Sequence, residues 1–444
     1  MRRFLRNPLA QRVIRNSGYL LGAQTTAAGL SMLQGILAAR LLGVEGLGLL
    51  GVITQFSSVI NRLTSFRMGE LVISYVSRFA AQGDTRRPAA VFKAAGIAEL
   101  VSSAAAFGIL AALAPWAART LAHRPSVADE FILYGLVLLA NGMAESSTGL
   151  LQVFNRYRTL AVLTAVQSVI TLGLIAFGFV RGADLPWVVF AYLVGKAAWA
   201  LGITVAAVRH AAQQWGAGWW RAPLSLLGPT RRELIRFAFS TNLSASLNLV
   251  TRDSEVLWLG AFSTPLQVGY YKVALAVINV LLIPVTPLIT TTYREVAREV
   301  GERQWANVRY LLRSGTLLAA SWTVPASLGL ALFGPWVIRL YGAEFAPAYP
   351  MLLVLLGGAA VANLLYWNRA ALLPLGLPDL PTKVLFVAAL LKIGGILVFV
   401  PTGGGRAMAW LLTLFFVGSA SVLVWRTLRE LRRAEMRFAA ASAG

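Results

Sequence analysis

The sequence predicts an all-α integral membrane protein: about twelve transmembrane helices in two six-helix lobes related by a pseudo-two-fold axis normal to the membrane. Three observations predict it. Apolar runs of about twenty residues, the length of a membrane-crossing helix, recur along the whole chain. Basic residues alternate in density between successive connections, as the positive-inside rule requires. The two halves also repeat one another at an offset of about 221 residues, Gly48 matching Gly269. Composition agrees: 57% of the 444 residues are hydrophobic and only 13% charged, about half the charged share of a soluble protein.

The apolar runs lie near 17–39, 46–66, 95–117, 131–153, 160–180, 186–207, 238–261, 268–291, 311–333, 347–368, 384–401 and 408–425. The first follows a basic start, MRRFLRNPLAQRVIR, and lacks a clean small-residue cleavage site, so a retained helix is expected rather than a cleaved signal peptide. Of the 40 Lys and Arg residues, 28 fall in the two tails and the even-numbered connections. Six (Arg40, Arg119, Arg124, Arg181, Arg339 and Arg406) fall in the odd-numbered ones, and six (Arg62, Arg67, Lys196, Arg252, Lys272 and Lys392) in spans or at their edges. This asymmetry puts both termini in the cytosol. The net charge of +22 thus belongs to membrane topology, and no nucleic-acid partner is expected. The longest cytosolic connection holds GAGWWRAPLSLLGPTRRE, an interfacial linker near the middle of the chain. The expected division is an N-lobe at 1–210, the linker at 211–232 and a C-lobe at 233–444. Trp116, Trp187, Trp219, Trp220, Trp336 and Trp425 sit at expected interfaces as an anchoring belt.

Ionisable and polar side chains inside a membrane face a cavity or one another. Helical spacing gathers several onto single faces: Gln24, Ser31 and Gln34 on the first span, Gln55 and Arg62 on the second, Asn141 and Glu145 on the fourth. The seventh carries Asn248, Arg252 and Glu255 on one face, and the eighth Lys272 and Asn279. Equivalent faces of both halves are therefore polar, as a shared central cleft requires. Arg62 and Arg252 lead as binders of an anionic group, because a guanidinium stays charged and donates paired hydrogen bonds. Lys196 and Lys272 are point-charge helpers. The alternative is internal pairing: Arg252 with Glu255 or Asp253, and Arg62 with Glu145 or Glu99. Pro284 and Pro287 interrupt the eighth span, as a fixed bend or as a hinge.

Enzyme motifs are not found. There is no cysteine, which excludes disulfides, thiolate metal sites and cysteine nucleophiles. His123 and His210 fall in loops without a second ligand, so no metal site is expected. The cluster Gly403-Gly404-Gly405 lacks the ending of a nucleotide-binding loop and reads as a turn. No cofactor is expected.

Two stretches carry a family resemblance. ILAARLLGVEGLGLLGV (36–52) resembles the N-terminal signature of Wzx-type polysaccharide flippases, and TRDSEVLWLGAFSTPLQVGYYKVA (251–274) resembles their seventh-to-eighth helix region. Those flippases are the oligosaccharidyl-lipid branch of the multidrug/oligosaccharidyl-lipid/polysaccharide exporter superfamily. The resemblance implies a carrier in the bacterial inner membrane that moves undecaprenyl-pyrophosphate-linked oligosaccharide from the cytosolic to the periplasmic leaflet, by alternating access of two lobes. It implies other polysaccharide-assembly proteins as candidate partners. A proton or sodium ion would be the coupling ion, with Glu145, Glu99, Glu255 and Asp253 the candidate carriers. Two competing readings are an exporter of amphipathic cations from the same superfamily, and a membrane enzyme of polysaccharide assembly. The first would want an acidic cavity, and the second a large periplasmic loop that the short outward connections do not supply.

Overall fold

A computed structural model describes the backbone of residues 8–238, 254–369 and 371–443, and the side chains of 26–238, 254–289, 291–369 and 371–436. Among the described residues the structure is helical throughout and contains no strand. We label the helices α1 (Pro8–Thr64), α2 (Met68–Ala81), α3 (Arg86–Thr120), α4 (Ala128–Ala140), α5 (Ala144–Val153), α6 (Tyr157–Arg181) and α7 (Leu185–Trp215). They continue as α8 (Glu255–Phe262), α9 (Pro265–Leu282), α10 (Thr286–Gly301), α11 (Trp305–Arg339), α12 (Ala348–Leu364) and α13 (Asp379–Ala443).

Eight of the described stretches are long and apolar enough to cross a membrane, and Ala348–Leu364 adds a shorter one. Two of the eight each hold two expected spans, because α1 and α13 break at glycines. Gly43 (φ 68°) and Gly404 (φ 51°) adopt left-handed backbone that turns one helix directly into the next. Only glycine does so without a steric cost. Most of the seventh expected span, 238–261, lies outside the described residues. The all-helical multispan architecture expected from the sequence is the one observed.

The chain forms two compact units: Met1–Leu42 with Leu49–Leu257, and Gly43–Gly48 with Trp258–Gly444. The first is centred on an apolar cluster from α2, α3, α5 and α7 that includes Val72, Phe92, Leu150 and Ile203. The connection after α7 joins it through Leu227 and through Trp219, whose ring lies 5.2 Å from that of Phe92. The second unit has its own cluster around Val296, Val308, Trp367 and Leu431. The outer surface is as apolar as either core: Val180 is 84% exposed, Leu332 and Leu391 each 73%. In lipid that is the expected distribution, because burial of oily side chains no longer drives association and close packing does. Trp116, Trp220, Trp336 and Trp425 are likewise exposed. Trp187, by contrast, turns inward to donate its indole N–H to the Leu174 carbonyl at 2.8 Å.

Within the second unit the two glycines matched by the 221-residue offset touch. A Cβ on Gly48 would overlap the Pro265 carbonyl and lie 3.0 Å from the Gly269 nitrogen, while a Cβ on Gly269 would overlap the Val44 carbonyl. Val44 and Pro265 are themselves one offset apart, so the contact is reciprocal, as a local two-fold relation makes it. Gly48→Val or Gly269→Val should each destabilise the protein by about 1–3 kcal/mol through overpacking. Thermal unfolding of the purified protein in detergent micelles measures this. An unchanged Tm in both variants would refute the close contact.

Candidate functional site

The second expected span, 46–66, ends in a break. α1 ends at Thr64, whose hydroxyl donates back to the Ile60 carbonyl at 2.9 Å, and α2 restarts at Met68. Between them Arg67 takes left-handed backbone (φ 51°, ψ 48°), and its N–H donates to the Ser65 hydroxyl at 3.2 Å. The fourth span is broken as well: α4 stops at Ala140, the chain turns through Asn141–Met143, and α5 begins at Ala144. Each restart exposes backbone N–H groups that no helical carbonyl can satisfy. At α5 a carboxylate from a neighbouring helix meets them.

Glu99, on α3, accepts the Glu145 N–H at 2.7 Å and the Ser146 N–H at 2.9 Å, and also the Ser146 hydroxyl. It caps α5 from the side, where the partial positive charge of the helix N-terminus favours an anion. Glu145 sits at the other break, where its carboxylate accepts the Ser65 hydroxyl at 2.9 Å. Glycines let the two restarted helices close on each other. A Cβ on Gly69 would lie 2.9 Å from the Glu145 carbonyl oxygen, and one on Gly149 2.5 Å from that of Gly69. At the rim Arg67 pairs with Glu70, Nη2 to Oε1, at 2.6 Å.

These breaks surround a cavity of about 550 Å³ lined by Glu70, Glu99 and Glu145, the Arg67 guanidinium and the amides of Asn61, Asn141 and Gln152, with Trp199 on one wall. Chemically it is a polar chamber with three carboxylates against one guanidinium, able to take a small cation, a proton or a hydrated polar group. The second unit differs here. Three residues short of one offset on from the first break, the 3-10 turn Ile283–Val285 joins α9 to α10 in right-handed backbone at Pro284, with Pro287 just beyond it. One offset on from the second, α12 ends at Leu364. Tyr366, at the position matching Glu145, shares a hydrogen bond of 2.7 Å with Thr292, and Asn363 donates to the Leu281 carbonyl at 3.0 Å. The matched braces there are neutral.

Of the residues singled out from sequence, the structure brings Glu99, Glu145 and Asn141 together at this cavity. Arg62 lies on α1 just before the break and is exposed, as are Lys196 on α7, Ser31 on α1 and Asn279 on α9. Gln55 and Lys272 are half-buried. Gln34 is 5% exposed and spends its amide on the Ser168 carbonyl at 2.8 Å, tying α1 to α6. Glu255 is buried at the start of α8. Asn248, Arg252 and Asp253 lie outside the described residues, as does the side chain of Gln24. Sequence reasoning missed Asn61, Ser146 and the Arg67–Glu70 pair as parts of one site. Its one available signal was polar residues at helical spacing, and the left-handed turn at Arg67 carries no glycine or proline to announce it.

A family model described as polysaccharide biosynthesis protein matches residues 13–293, well over half of the chain. The chain belongs to this family. No curated protein matches it significantly. Among solved structures, similar folds include an inward-facing multidrug resistance MATE family transporter of the MOP superfamily. That match has a TM-score of 0.74 at 15% identity over 92% of this chain and 95% of the other. The lipid II flippase MurJ in an inward closed conformation aligns with TM-score 0.73 at 11% identity, covering 94% and 90%. A MOP superfamily transporter from Pyrococcus furiosus, described as having a binding pocket of reverse polarity, aligns at 0.66 and 16% identity over 97% and 98%. At such identities the likeness establishes the fold alone, which this family member shares with those structures.

The capping geometry makes a direct prediction. Glu99→Ala leaves the Glu145 and Ser146 amides without an acceptor in a low-dielectric interior, at about 1–3 kcal/mol for each unsatisfied group. Ser65→Ala removes one hydrogen bond, about 1 kcal/mol. A lower Tm for Glu99→Ala than for Ser65→Ala, and for Ser65→Ala than for wild type, is the expected order in detergent micelles. Equal melting of all three would remove Glu99 from its role as a cap.

Proposed function

We propose that this protein is a flippase that carries undecaprenyl-pyrophosphate-linked oligosaccharide from the cytosolic to the periplasmic leaflet of the bacterial inner membrane, with both termini cytosolic. The observation that carries this reading is the match to the polysaccharide biosynthesis family over residues 13–293, on a scaffold shared with a lipid II flippase. The pyrophosphate is held by Arg62 and Arg252, assisted by Lys196 and Lys272. A guanidinium suits this task because its planar fork matches phosphate oxygens in pairs. Alternating access moves the headgroup past these cations, and the turn at Ile283–Val285, with Pro284 and Pro287, serves as the flexing point.

Coupling to a proton or sodium ion runs through Glu99 and Glu145. A half-helix N-terminus capped by a carboxylate inside a span, with a polar chamber beside it, is the sort of discontinuous helix on which secondary transporters build ion and substrate sites. Export of amphipathic cations is disfavoured as the main activity, because the family matched is one of polysaccharide biosynthesis. The short connections among the described residues offer no domain for catalysis, so transport is the reading rather than polymerisation or ligation.

The test is complementation of a strain lacking its own oligosaccharide-lipid flippase, with membrane levels of each variant measured. Arg62→Ala/Arg252→Ala should abolish surface polysaccharide, and Arg252→Lys should retain part of it. Full activity of the double variant would overturn the pyrophosphate assignment. Glu145→Gln preserves an acceptor for Ser65 while removing the titratable charge. It should keep the melting temperature close to wild type yet lower transport at least tenfold; normal transport would exclude Glu145 as the coupling group.

A further inference from the structure

The connection after α7 encloses a second cavity of the first unit, chemically unlike the first. It has a volume of about 550 Å³, within the usual range for small-ligand pockets. Met68 and Leu71 of α2, Ala94 and Ala98 of α3, and Leu227 and Leu234 of the connecting segment line it, and Arg231 is the one charged residue among its lining residues. Nothing in the transport reading uses it.

We propose that this cavity binds an anionic phospholipid, with an acyl chain in the groove and the phosphate on Arg231. Charge argues for this occupant. Residues 209–236 carry Arg209, Arg221, Arg231, Arg232 and Arg236 against a single carboxylate, Glu233. That carboxylate is taken by Arg78 at 3.0 Å. Among the described residues Arg231 has no ion pair, and it is exposed at the mouth of an apolar groove. Beside it Trp220, Leu224 and Ile235 are 55%, 45% and 47% exposed, so the segment presents oily and basic groups together, as an element lying in a membrane interface does. The Arg221 guanidinium stacks 5.0 Å over the Trp220 ring, holding cation and aromatic at one level. Water has few partners in so apolar a groove, and a phosphate ester joined to an alkyl chain satisfies both of its ends.

The site also has a consequence for the polar cavity. Met68 and Leu71 face the lipid groove, while Gly69 and Glu70 of the same helix face the chamber of carboxylates. A lipid seated in the groove therefore braces the helix that separates the two cavities. The proposal does not depend on what the protein carries.

The experiment uses the full-length protein, purified and delipidated in detergent, then titrated with phosphatidylglycerol, phosphatidylcholine or glycerol 3-phosphate. Native mass spectrometry reads retained ligand, and thermal unfolding reads the shift in Tm. Phosphatidylglycerol should bind and raise Tm, with phosphatidylcholine and glycerol 3-phosphate at least about fivefold weaker, the factor expected for one basic contact at a lipid surface. Arg231→Ala should weaken phosphatidylglycerol about fivefold, and Arg231→Lys should restore most of that. Ala94→Leu, which narrows the groove, should weaken both lipids. Arg432→Ala, an exposed cation on α13, should change nothing. Should Arg231→Ala fail to purify as a monodisperse species, Arg231→Gln against Arg231→Lys gives the same comparison. Unchanged phosphatidylglycerol binding without the charge at 231 would overturn the proposal. So would equal binding of phosphatidylcholine, which makes the groove indifferent to headgroup, or of glycerol 3-phosphate, which makes it a simple anion site. Displacement of phosphatidylglycerol by an equimolar polyprenyl phosphate would assign the groove to the carried lipid instead, and also overturn it.

Discussion

A backbone N–H that faces hydrocarbon has no water to bond, and leaving it unpaired costs several kcal/mol. Much of this protein's interior chemistry follows from that constraint, because one of its expected spans is broken inside the first unit and another ends beside it in a left-handed turn. The restart of α5 is met by Glu99 from α3, and the turn before α2 is held through the Ser65 hydroxyl by Glu145 at the head of α5. Each break is thereby tied to a different helix, and Gly69 and Gly149 allow the two restarted helices to approach at backbone distance. A charge buried among apolar helices would ordinarily be expensive. Here the donors it needs are the amides that would otherwise be orphaned, so two costs offset each other.

The same scaffold position is solved without charge in the second unit. Near the corresponding positions the helices bend at Ile283–Val285 and end at Leu364. Their braces are Tyr366 with Thr292, and Asn363 with a backbone carbonyl. A proline at 284 bends one of them without an N–H to satisfy. The two halves therefore differ here in electrostatics and in local backbone: a left-handed break at Arg67, a right-handed 3-10 turn at Pro284. That difference is what gives the first unit a chamber suited to ions.

Much of the fold is legible in the amino-acid sequence. Twenty-residue apolar runs, glycine at the tight returns and an offset that matches Gly48 to Gly269 all arise from local or periodic features, which a linear chain displays openly. The site is legible only in part. Glu99, Glu145 and Asn141 stand out because a charged or amide side chain in an apolar run is conspicuous. Their partners do not, because Ser65, Ser146 and Asn61 are ordinary in composition and acquire meaning only by whom they face. Gln34 shows the converse: conspicuous as a polar residue in a span, it turns out to be an interhelical tie to Ser168.

The sequence by itself determined that this chain lives in a membrane, that it crosses many times, and which faces of its helices are polar, since hydrophobic length and helical period are properties of neighbouring residues. Only the tertiary structure decided that one span is interrupted and another ends in a left-handed turn, that carboxylates from other helices hold both places, and that α2 separates a polar chamber from an oily groove. Those facts depend on contacts such as Ser65 with Glu145, 80 residues apart. No local pattern encodes which distant side chain will satisfy an exposed amide; packing in three dimensions does.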